Sequence, residues 1–443
     1  MEKEKYFILE GVSSVLFILI SQGAVFTGLA VLFKLDEFKL GIAASFPLIA
    51  QILQIFTPYF VEKFGNRKLL TNLFNLSGRI LWSLFIIFSI TFKWYRSSEF
   101  ITIFAISQIL TSMAANIWMS WARDLTPSEI RGKIFGKRNL YVSLSTLATF
   151  YVYSELIDNL HKFGYTITAI LGFLGAFLSF YYMNKLPNAP IKRVGALAAL
   201  RVVFQDKNFI KLSVFYSFWN FATMFTSPFF MYHLIKNLHV SFRYISIYTI
   251  ISSLIAMAFY RFFGNVSDEV GHKSVAQFGI SLVSITPILW ILMNSKTYHY
   301  MLLVDATITG IGWSAINLSM VTLPMEVATG TQSAYFSVYT SFGGIGGLVG
   351  SLLGGISGKF LSNYQWQHFG MEFYGLQLVF VIGGILRFLS LFLLKKVEVK
   401  KNIPLGRYTF NTLVVVFRRI PFKLQEGVYT LRRGFRKDKG GQK

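Results

Sequence analysis

The chain has 443 residues and a formal net charge of +23 at pH 7, yet only 14% of its residues are charged and 53% are hydrophobic. Soluble domains average about 25% charged residues, so this composition is too apolar for a water-exposed surface and suits a bilayer. The sequence contains no cysteine, which excludes disulfides, thiol catalysis and cysteine-based metal sites.

Twelve apolar runs follow one another along the chain, each close to the roughly 20 residues that a helix needs to cross the hydrocarbon core. They predict an all-α polytopic membrane protein, because lipid offers no partner for free backbone groups. The predicted spans are 10–33, 38–61, 69–92, 98–121, 139–160, 164–184, 210–233, 244–263, 274–295, 299–323, 333–360 and 373–394.

Positive charge alternates between the predicted loops. Most of the 43 Lys and Arg residues fall on the same side of the membrane as the N-terminus. The positive-inside rule then places both termini in the cytoplasm, and we expect the plasma membrane as the location. This one-sided distribution explains the net charge without nucleic acid as a partner.

Two charged stretches, PYFVEKFGNRK at 58–68 and GNVSDEVGHK at 264–273, recur about half a chain apart. Each has an acid three residues before a glycine and a basic residue after it, and each lies between two apolar runs. The repeat predicts two six-helix bundles related by a pseudo-twofold axis. The predicted bundles are 1–184 and 210–395, with a linker at 185–209 that contains an interfacial helix and a basic tail at 396–443.

On these features the chain resembles permeases of the major facilitator superfamily, and the run 121–139 resembles an uncharacterised prokaryotic subgroup. The second stretch keeps more of the signature turn of that family than the first, which has Glu62 for Asp. The resemblance implies that Glu62 faces the start of the eleventh span and that Lys63 or Arg67 pairs with Asp124. It implies a gating motif of Glu62, Lys63, Gly65, Arg67, Asp124, Arg131, Gly264, Asp268, Gly271 and Lys273.

Glycine has a physical role in each of these turns. Gly65 and Gly271 permit a positive φ angle and a close approach of the backbone. The alternative interpretation of the motif is that its charges only set the topology and solvate a loop.

Ionisable residues at membrane depth are costly and are therefore candidates for function. Arg79 lies near the middle of the third span, so we expect it to face inward and to find an acid or backbone carbonyls. We expect Asp305 in a solvated outer vestibule and Glu10 at the membrane interface, with a role in ion coupling as the alternative for both. Arg387 is expected to extend toward the cytoplasm.

Uncharged polar and aromatic residues near mid-depth are candidates for substrate contact, and packing between helices is the alternative. In the family, spans 1, 4, 7 and 10 line the central cavity. The candidates are Gln22, Asn116, Trp118, Tyr151, Trp219, Asn220, Trp313, Asn317 and Tyr339. Such a set suits a neutral or amphipathic organic solute.

The sequence therefore predicts a secondary transporter that works by alternating access, with a proton gradient as a candidate energy source. We expect no catalytic residue, metal or cofactor, a monomer, and a basic tail that adsorbs to an anionic lipid leaflet. The alternatives are a flippase for a lipid or lipid precursor, a non-transporting receptor or scaffold, and a polytopic membrane enzyme.

Overall fold

The structure is a computed structural model that describes residues 2–53, 65–125, 131–188, 196–329, 332–362, 364–368 and 371–403. Some of the predicted site residues lie outside this description. They are Glu62 and Lys63 together with the side chains of Asn116, Asp124 and Arg131, and the tail beyond Ile403 lies outside it as well.

The first half of the chain supplies the helices of the first six predicted spans. They are α1 Glu2–Ile18, α2 Gly23–Leu32, α3 Glu37–Leu53, α4 Arg67–Thr91, α5 Ser97–Leu125, α6 Arg131–Leu160 and α7 Lys162–Asn184. The linker contains α8 Ala196–Gln205, so the stretch expected to form an interfacial helix is helical.

The second half repeats this arrangement. Its helices are α9 Lys207–Met224, α10 Ser227–Tyr232, α11 Phe242–Val270, α12 His272–Leu289, α13 Tyr298–Val327, α14 Gln332–Leu361 and α15 Leu376–Lys395, with a π-helical turn at His233–Asn237 and a 3-10 turn at Trp290–Leu292. Within the described ranges, nine helical segments are long and apolar enough to cross a membrane. The fold is that of a multi-pass helical membrane protein, as predicted.

Spans 1 and 7 were predicted as continuous and are broken instead. The first is interrupted between α1 and α2, where Gly23 has a φ of 67°. The seventh breaks between α9 and α10, where Pro228 follows the first residue of the new helix and has no amide hydrogen to donate. The two breaks lie at corresponding places of the two halves, which supports the internal repeat.

A short β-hairpin, which the all-α prediction missed, separates α14 from α15. Its strands β1 Gln365–His368 and β2 Met371–Tyr374 pair in antiparallel fashion. Trp366 lies opposite Phe373 and stacks on it at 5.9 Å between ring centroids. Aromatic residues that alternate with polar ones favour this local pairing over a helical turn.

Consecutive spans run in opposite directions, so the ends of their helices form two faces. We call the face that carries the start of α1, the linker and the end of α15 the linker face, and the opposite one the distal face. The largest hydrophobic cluster contains residues of both halves, among them Phe26, Trp82, Phe229 and Phe380. Among the described residues, each of the other clusters draws its members from one half, with or without the linker.

Helix α14 packs against both halves through its small residues. Toward its own half, a Cβ on Gly346, Gly350 or Gly354 would lie 1.9 to 2.3 Å from carbonyl oxygens of α9 and of the residue that follows it. Toward the first half, Ser351 donates to the carbonyl of Gly41 on α3 at 2.7 Å. Small residues allow helices to approach this closely in a membrane protein.

Candidate functional site

The first half holds a buried ionic cluster around Glu10 of α1. Its Oε2 accepts a hydrogen bond from Arg138 Nη2 of α6 at 3.0 Å. Its Oε1 accepts from Ser14 at 2.9 Å and from Ser179 of α7 at 3.4 Å. Glu10 is 3% exposed, which places it inside the bundle, while its position at the membrane interface stays a prediction. Partners on three helices enclose the carboxylate and remove it from water.

Arg79 of α4 approaches the same cluster from another direction. Its Nη1 donates to Ser14 Oγ at 3.1 Å, and its guanidinium lies 5.5 Å from the centroid of the Phe17 ring. The residue is buried and points inward, as expected. Ser14 therefore links Arg79 to Glu10, because its hydroxyl contacts both side chains.

The second half buries a different acid. Asp305 of α13 accepts hydrogen bonds from Trp290 Nε1 at 3.0 Å and from the hydroxyl of Tyr248 on α11 at 2.5 Å. It is 2% exposed, so the expected solvated vestibule is wrong. The aromatic side chains that donate these bonds also exclude water from the carboxylate.

Arg387 of α15 is buried as well, and its expected extension toward the cytoplasm is wrong. Its Nη2 donates to Thr226 Oγ1 at 2.9 Å and its Nη1 to the carbonyl of Val283 at 3.4 Å. Thr226 lies at the break between α9 and α10, so the interruption of span 7 supplies a partner at membrane depth. Asp305 is the acid in electrostatic range of this arginine.

The predicted substrate candidates fall into separate groups. In the second half, Trp219 lies 5.9 Å from Trp313, and Tyr339 stacks at 3.9 Å on Tyr216. Asn220 donates to the carbonyl of Tyr216 at 2.8 Å. These contacts join α9 to α13 and α14, and they satisfy the Asn220 amide within its own helix.

The remaining candidates lie apart from that group. Trp118 of α5 lies under the guanidinium of Arg138, 4.4 Å from ring centroid to Cζ. Asn317 donates to the Tyr260 hydroxyl at 3.2 Å. Gln22 is exposed at the break of span 1, and Tyr151 is half-buried in α6. Contact of any of these residues with a substrate stays a prediction.

The two motif turns have the expected backbone. Gly65 has a φ of 66° and Gly271 a φ of 96°, both in the region that favours glycine. Asn66 caps α4 by accepting a hydrogen bond from the Leu69 amide at 3.0 Å. Arg67 is buried in the first turn of that helix.

A lysine after each turn binds the end of the last helix of its own half. Lys68 Nζ donates to the carbonyls of Asn184 and Leu186, at 2.7 and 2.9 Å. Lys273 Nζ donates to those of Lys395 and Val397, at 3.0 and 2.7 Å. A cation at a helix C-terminus is favourable because the last carbonyls have no partner in the helix. The contacts of Lys273 therefore hold its own half together.

The segment 396–403 after α15, which we call the strap, crosses the linker face of the second half. Its Glu398 pairs with Lys211 of α9 at 2.9 Å, which lowers the pKa of that carboxyl. Lys401 Nζ donates to the carbonyl of Asp268 at 3.0 Å, and the Ile403 amide to that of Val270 at 2.9 Å. The strap therefore covers the turn at Gly271, whereas Gly264 and Asp268 lie in the helix before that turn.

Sequence reasoning missed several of these residues. Arg138 belongs to a basic run that was interpreted as a loop, although α6 begins at Arg131 and carries it into the bundle. Tyr248 and Trp290 show no spacing that would link them to Asp305. Because α6 begins at Arg131, Arg138 lies about 10 Å along the helix axis at 1.5 Å per residue and not in a loop.

The distal face joins the halves through a set of polar contacts that we call the distal seam. Asp158 of α6 accepts from the amides of Phe242 and Arg243 at 2.9 and 2.6 Å. Glu37 of α3 pairs with Lys236 at 3.3 Å. The hydrogen bonds and ion pairs between described residues that connect the halves all lie on the distal side of the bundles.

Comparison with known proteins agrees with this architecture. The family model described as Major Facilitator Superfamily matches residues 212–433. Solved structures with a similar fold include the nucleoside transporter NupG. Its TM-score is 0.62, with 16% identity over 89% of this chain and 100% of that one.

Two further structures are similar. The D-xylose-proton symporter has a TM-score of 0.67 and 15% identity over 91% of this chain and 98% of that one. The inward open conformation of the xylose transporter XylE from E. coli has a TM-score of 0.63 and 14% identity over 90% of this chain and 96% of that one. No curated protein sequence matches this chain.

The strap and the turn at Gly271 predict a difference between two glycines. An alanine at either Gly65 or Gly271 places a side chain at positive φ and costs about 1 kcal/mol of folding free energy. At Gly271 its Cβ would also lie 2.1 Å from the Lys401 carbonyl, whereas at Gly65 no atom of the described residues lies within 4 Å. A nitroxide on Lys400→Cys is expected to gain mobility in Gly271→Ala and to stay unchanged in Gly65→Ala. Equal mobility in the two variants would contradict the contact.

Proposed function

Because the chain belongs to the Major Facilitator Superfamily, we propose that it is a secondary transporter that carries a small organic solute across the plasma membrane by alternating access. The observation that carries this proposal is the asymmetry between the two faces. Among the residues that the structure describes, the halves share one hydrophobic cluster and the distal seam toward one face, whereas the other clusters belong to single halves. Such an arrangement is expected of a carrier that is closed on one side.

The positive charge of the linker face supports a cytoplasmic location of that face and of both termini. The conformation would then be inward-facing. The basic tail would emerge beside the strap and meet an anionic leaflet. Alternating access within one chain requires no second copy, which is consistent with a monomer.

The orientation can be tested in intact cells, since the chain contains no cysteine of its own. A cysteine that replaces Lys93 lies between α4 and α5 on the distal face, and one that replaces Lys400 lies on the strap; both positions are exposed. A thiol reagent that cannot cross the membrane is expected to modify the first and spare the second. The reverse pattern would invert the proposed topology.

Opening of the distal face requires the distal seam to break, and Asp158 is its most informative member. Its carboxylate accepts two amides at the start of α11, so it caps a helix of the other half. Ser241 caps the same helix from within, by accepting a bond from the Tyr244 amide at 3.3 Å. Helix α11 therefore keeps one cap after the halves separate.

We predict that Asp158→Ala shifts the conformational equilibrium toward an open distal face. Loss of roughly 1–2 kcal/mol of hydrogen bonding corresponds to about a tenfold change in the equilibrium constant. Nitroxides on Lys93→Cys and Lys296→Cys, at exposed distal positions of opposite halves, would report longer distances by pulsed electron resonance.

Asp36→Ala is the matched control for this prediction. Asp36 also accepts an amide bond on the distal face, from Lys39 at 2.8 Å, but within its own half. Its removal is expected to leave the distances between the labels unchanged. The same shift in both variants, or in neither, would contradict a gating role of Asp158.

Transport itself is tested with purified protein. A solute that binds only the folded state raises its stability by RT ln(1 + [L]/Kd), so a thermal screen identifies candidate substrates, which proteoliposomes are then expected to accumulate. In the variants Glu10→Gln and Asp305→Asn, a pH gradient is expected to lose its effect on accumulation while exchange continues. If accumulation still depends on the pH gradient in both variants, these acids are not coupling groups. A screen that yields only lipids would favour a flippase.

A further inference from the structure

An apolar groove runs along α4 and opens outward from the first half. Its volume is about 740 Å³, which is within the range of pockets that hold small ligands. The lining is apolar apart from two serines, and it includes Leu81, Leu84, Phe88 and Phe92 of α4, Trp94 of the turn that follows, and Ile103 of α5. Phe88 and Phe92 are exposed, so this groove, which we call the α4 groove, faces the lipid.

The α4 groove is closed at one end by the contact between α4 and α5. A Cβ on Gly78 would lie 2.9 Å from the Ser107 carbonyl oxygen, so the two helices touch at that level. Nearer the distal face, the ring centroid of Trp82 lies 5.0 Å from that of Phe100 and 4.9 Å from that of Phe104. These buried rings hold the helices apart, because aromatic side chains are large. The groove therefore begins beside Gly78 and opens toward the distal face.

The length and direction of the groove match those of a lipid chain. Its lining on α4 extends from Ser77 to Phe92, which is about 22 Å at 1.5 Å per residue. The hydrocarbon core of a bilayer is about 30 Å thick, so one leaflet contributes about 15 Å. An acyl chain that enters from the distal leaflet therefore fits along the groove, with its end toward Ser77.

The open end of the groove carries groups that are typical of the level of lipid headgroups. Trp94 is exposed there, and tryptophan is enriched where a membrane meets water. The guanidinium of Arg96 lies 5.6 Å from the centroid of the Trp94 ring and pairs with Glu99 at 3.4 Å. This ion pair supports the indole ring and adds no net charge to the open end.

Lys93 adds one positive charge to the same end. It lies between the lining residues Phe92 and Trp94 in the turn after α4, where its φ is 57°. The turn is fixed by the Trp94 amide, which donates to the Ser89 carbonyl at 2.7 Å. The Lys93 side chain is exposed, and no acid in the described part of the chain pairs with it. A lysine ammonium is a point charge well suited to a phosphate.

We propose that the α4 groove binds a phospholipid of the distal leaflet whose headgroup has a net negative charge. One acyl chain lies in the groove with its end toward Ser77, and the phosphate contacts Lys93. The apolar lining selects the chain and the ammonium selects the headgroup, so the affinity depends on both. The site requires only that the protein spans a bilayer, so it does not depend on the proposed transport function.

The test uses phospholipids whose chains carry bromine, which quenches a nearby fluorophore. Because the chain contains no cysteine, a bimane can be attached at Ser77→Cys in the groove or at Ile285→Cys, an exposed position of α12 in the other half. Each full-length protein is placed in phosphatidylcholine vesicles with rising fractions of brominated phosphatidylglycerol or brominated phosphatidylcholine. At Ser77 we expect a preference of about fivefold for phosphatidylglycerol, the effect of one lysine near the surface, and at Ile285 none. An equal preference at the two positions would overturn the proposal.

A charge variant tests the contact with the headgroup. Lys93→Gln is expected to remove the preference for phosphatidylglycerol at the Ser77 label. Lys296→Gln is the matched control, since Lys296 is an exposed lysine in the corresponding turn between α12 and α13, and it is expected to keep the preference. A preference that survives in Lys93→Gln would contradict the contact between Lys93 and the phosphate.

A bulky variant tests the acyl chain. Leu84→Trp narrows the groove and is expected to lower the affinity for phosphatidylglycerol at the Ser77 label about tenfold, the effect of displacing two methylene groups. Ile288→Trp adds the same bulk at an exposed position of α12 and is expected to change nothing. Unchanged affinity in Leu84→Trp would exclude a chain in the groove. Should that variant fail to fold, the result for Lys93→Gln decides, because Lys93 lies on an exposed turn.

A second copy of the chain is the alternative occupant of the groove, and the same labels detect it. A protein surface on the groove would keep lipid away from Ser77 and leave Ile285 in contact with the bilayer. If both brominated lipids quench the label at Ile285 and neither quenches the label at Ser77, the proposal fails.

Discussion

A bilayer offers no partner to an ionised side chain or to an open backbone group, and this constraint determines where the charges of this protein lie. Facing lipid would cost an arginine at least about 3 kcal/mol. Both deep arginines avoid this cost by pointing inward, Arg79 to a serine of α1 and Arg387 to a threonine at a helix break. The break in span 7 is part of the same solution, because it supplies the Thr226 hydroxyl to Arg387. The break in span 1 frees the carbonyl of Ile20, which accepts a hydrogen bond from Trp82 Nε1 at 3.1 Å.

The repeat seen in the sequence is also a repeat of contacts. The lysine that follows each turn, Lys68 or Lys273, binds the carbonyls at the end of the last helix of its half. In each half, this lysine therefore joins the turn to the last helix at the linker face. Such contacts within a half are expected of two bodies that move against each other. The buried ionic clusters of the halves differ among the described residues. Glu10 contacts Arg138 and, through Ser14, Arg79, whereas Asp305 has Arg387 in electrostatic range.

The fold was predictable because its signals are local. Span length, loop charge and the glycine turns each depend on a few neighbouring residues, and the positive φ values of Gly65 and Gly271 followed from the motif alone. The partners of the buried charges were not predictable, because Arg138 and Glu10 lie 128 positions apart in the chain. The substrate residues are the hardest to predict. An amide at depth satisfies a neighbouring helix as readily as a ligand, and Asn220 bonds within its own helix.

Helix α14 packs differently against the two halves. Toward α9 its contact is with backbone, since a Cβ on Gly350 would meet the Phe221 carbonyl at 2.3 Å. Toward α3 the contact changes along the helix: a Cβ on Gly347 would meet the terminal carbons of the Leu48 side chain at 3.0 and 3.1 Å, whereas a Cβ on Gly41 would lie 2.7 Å from the Ser351 carbonyl. Flexible side-chain ends shift more easily than backbone groups in a helix. Under the proposed alternating access, the contact with α3 would therefore yield most easily around Leu48, and opening of the distal face would have to separate the backbones at Gly41 and break the hydrogen bond from Ser351.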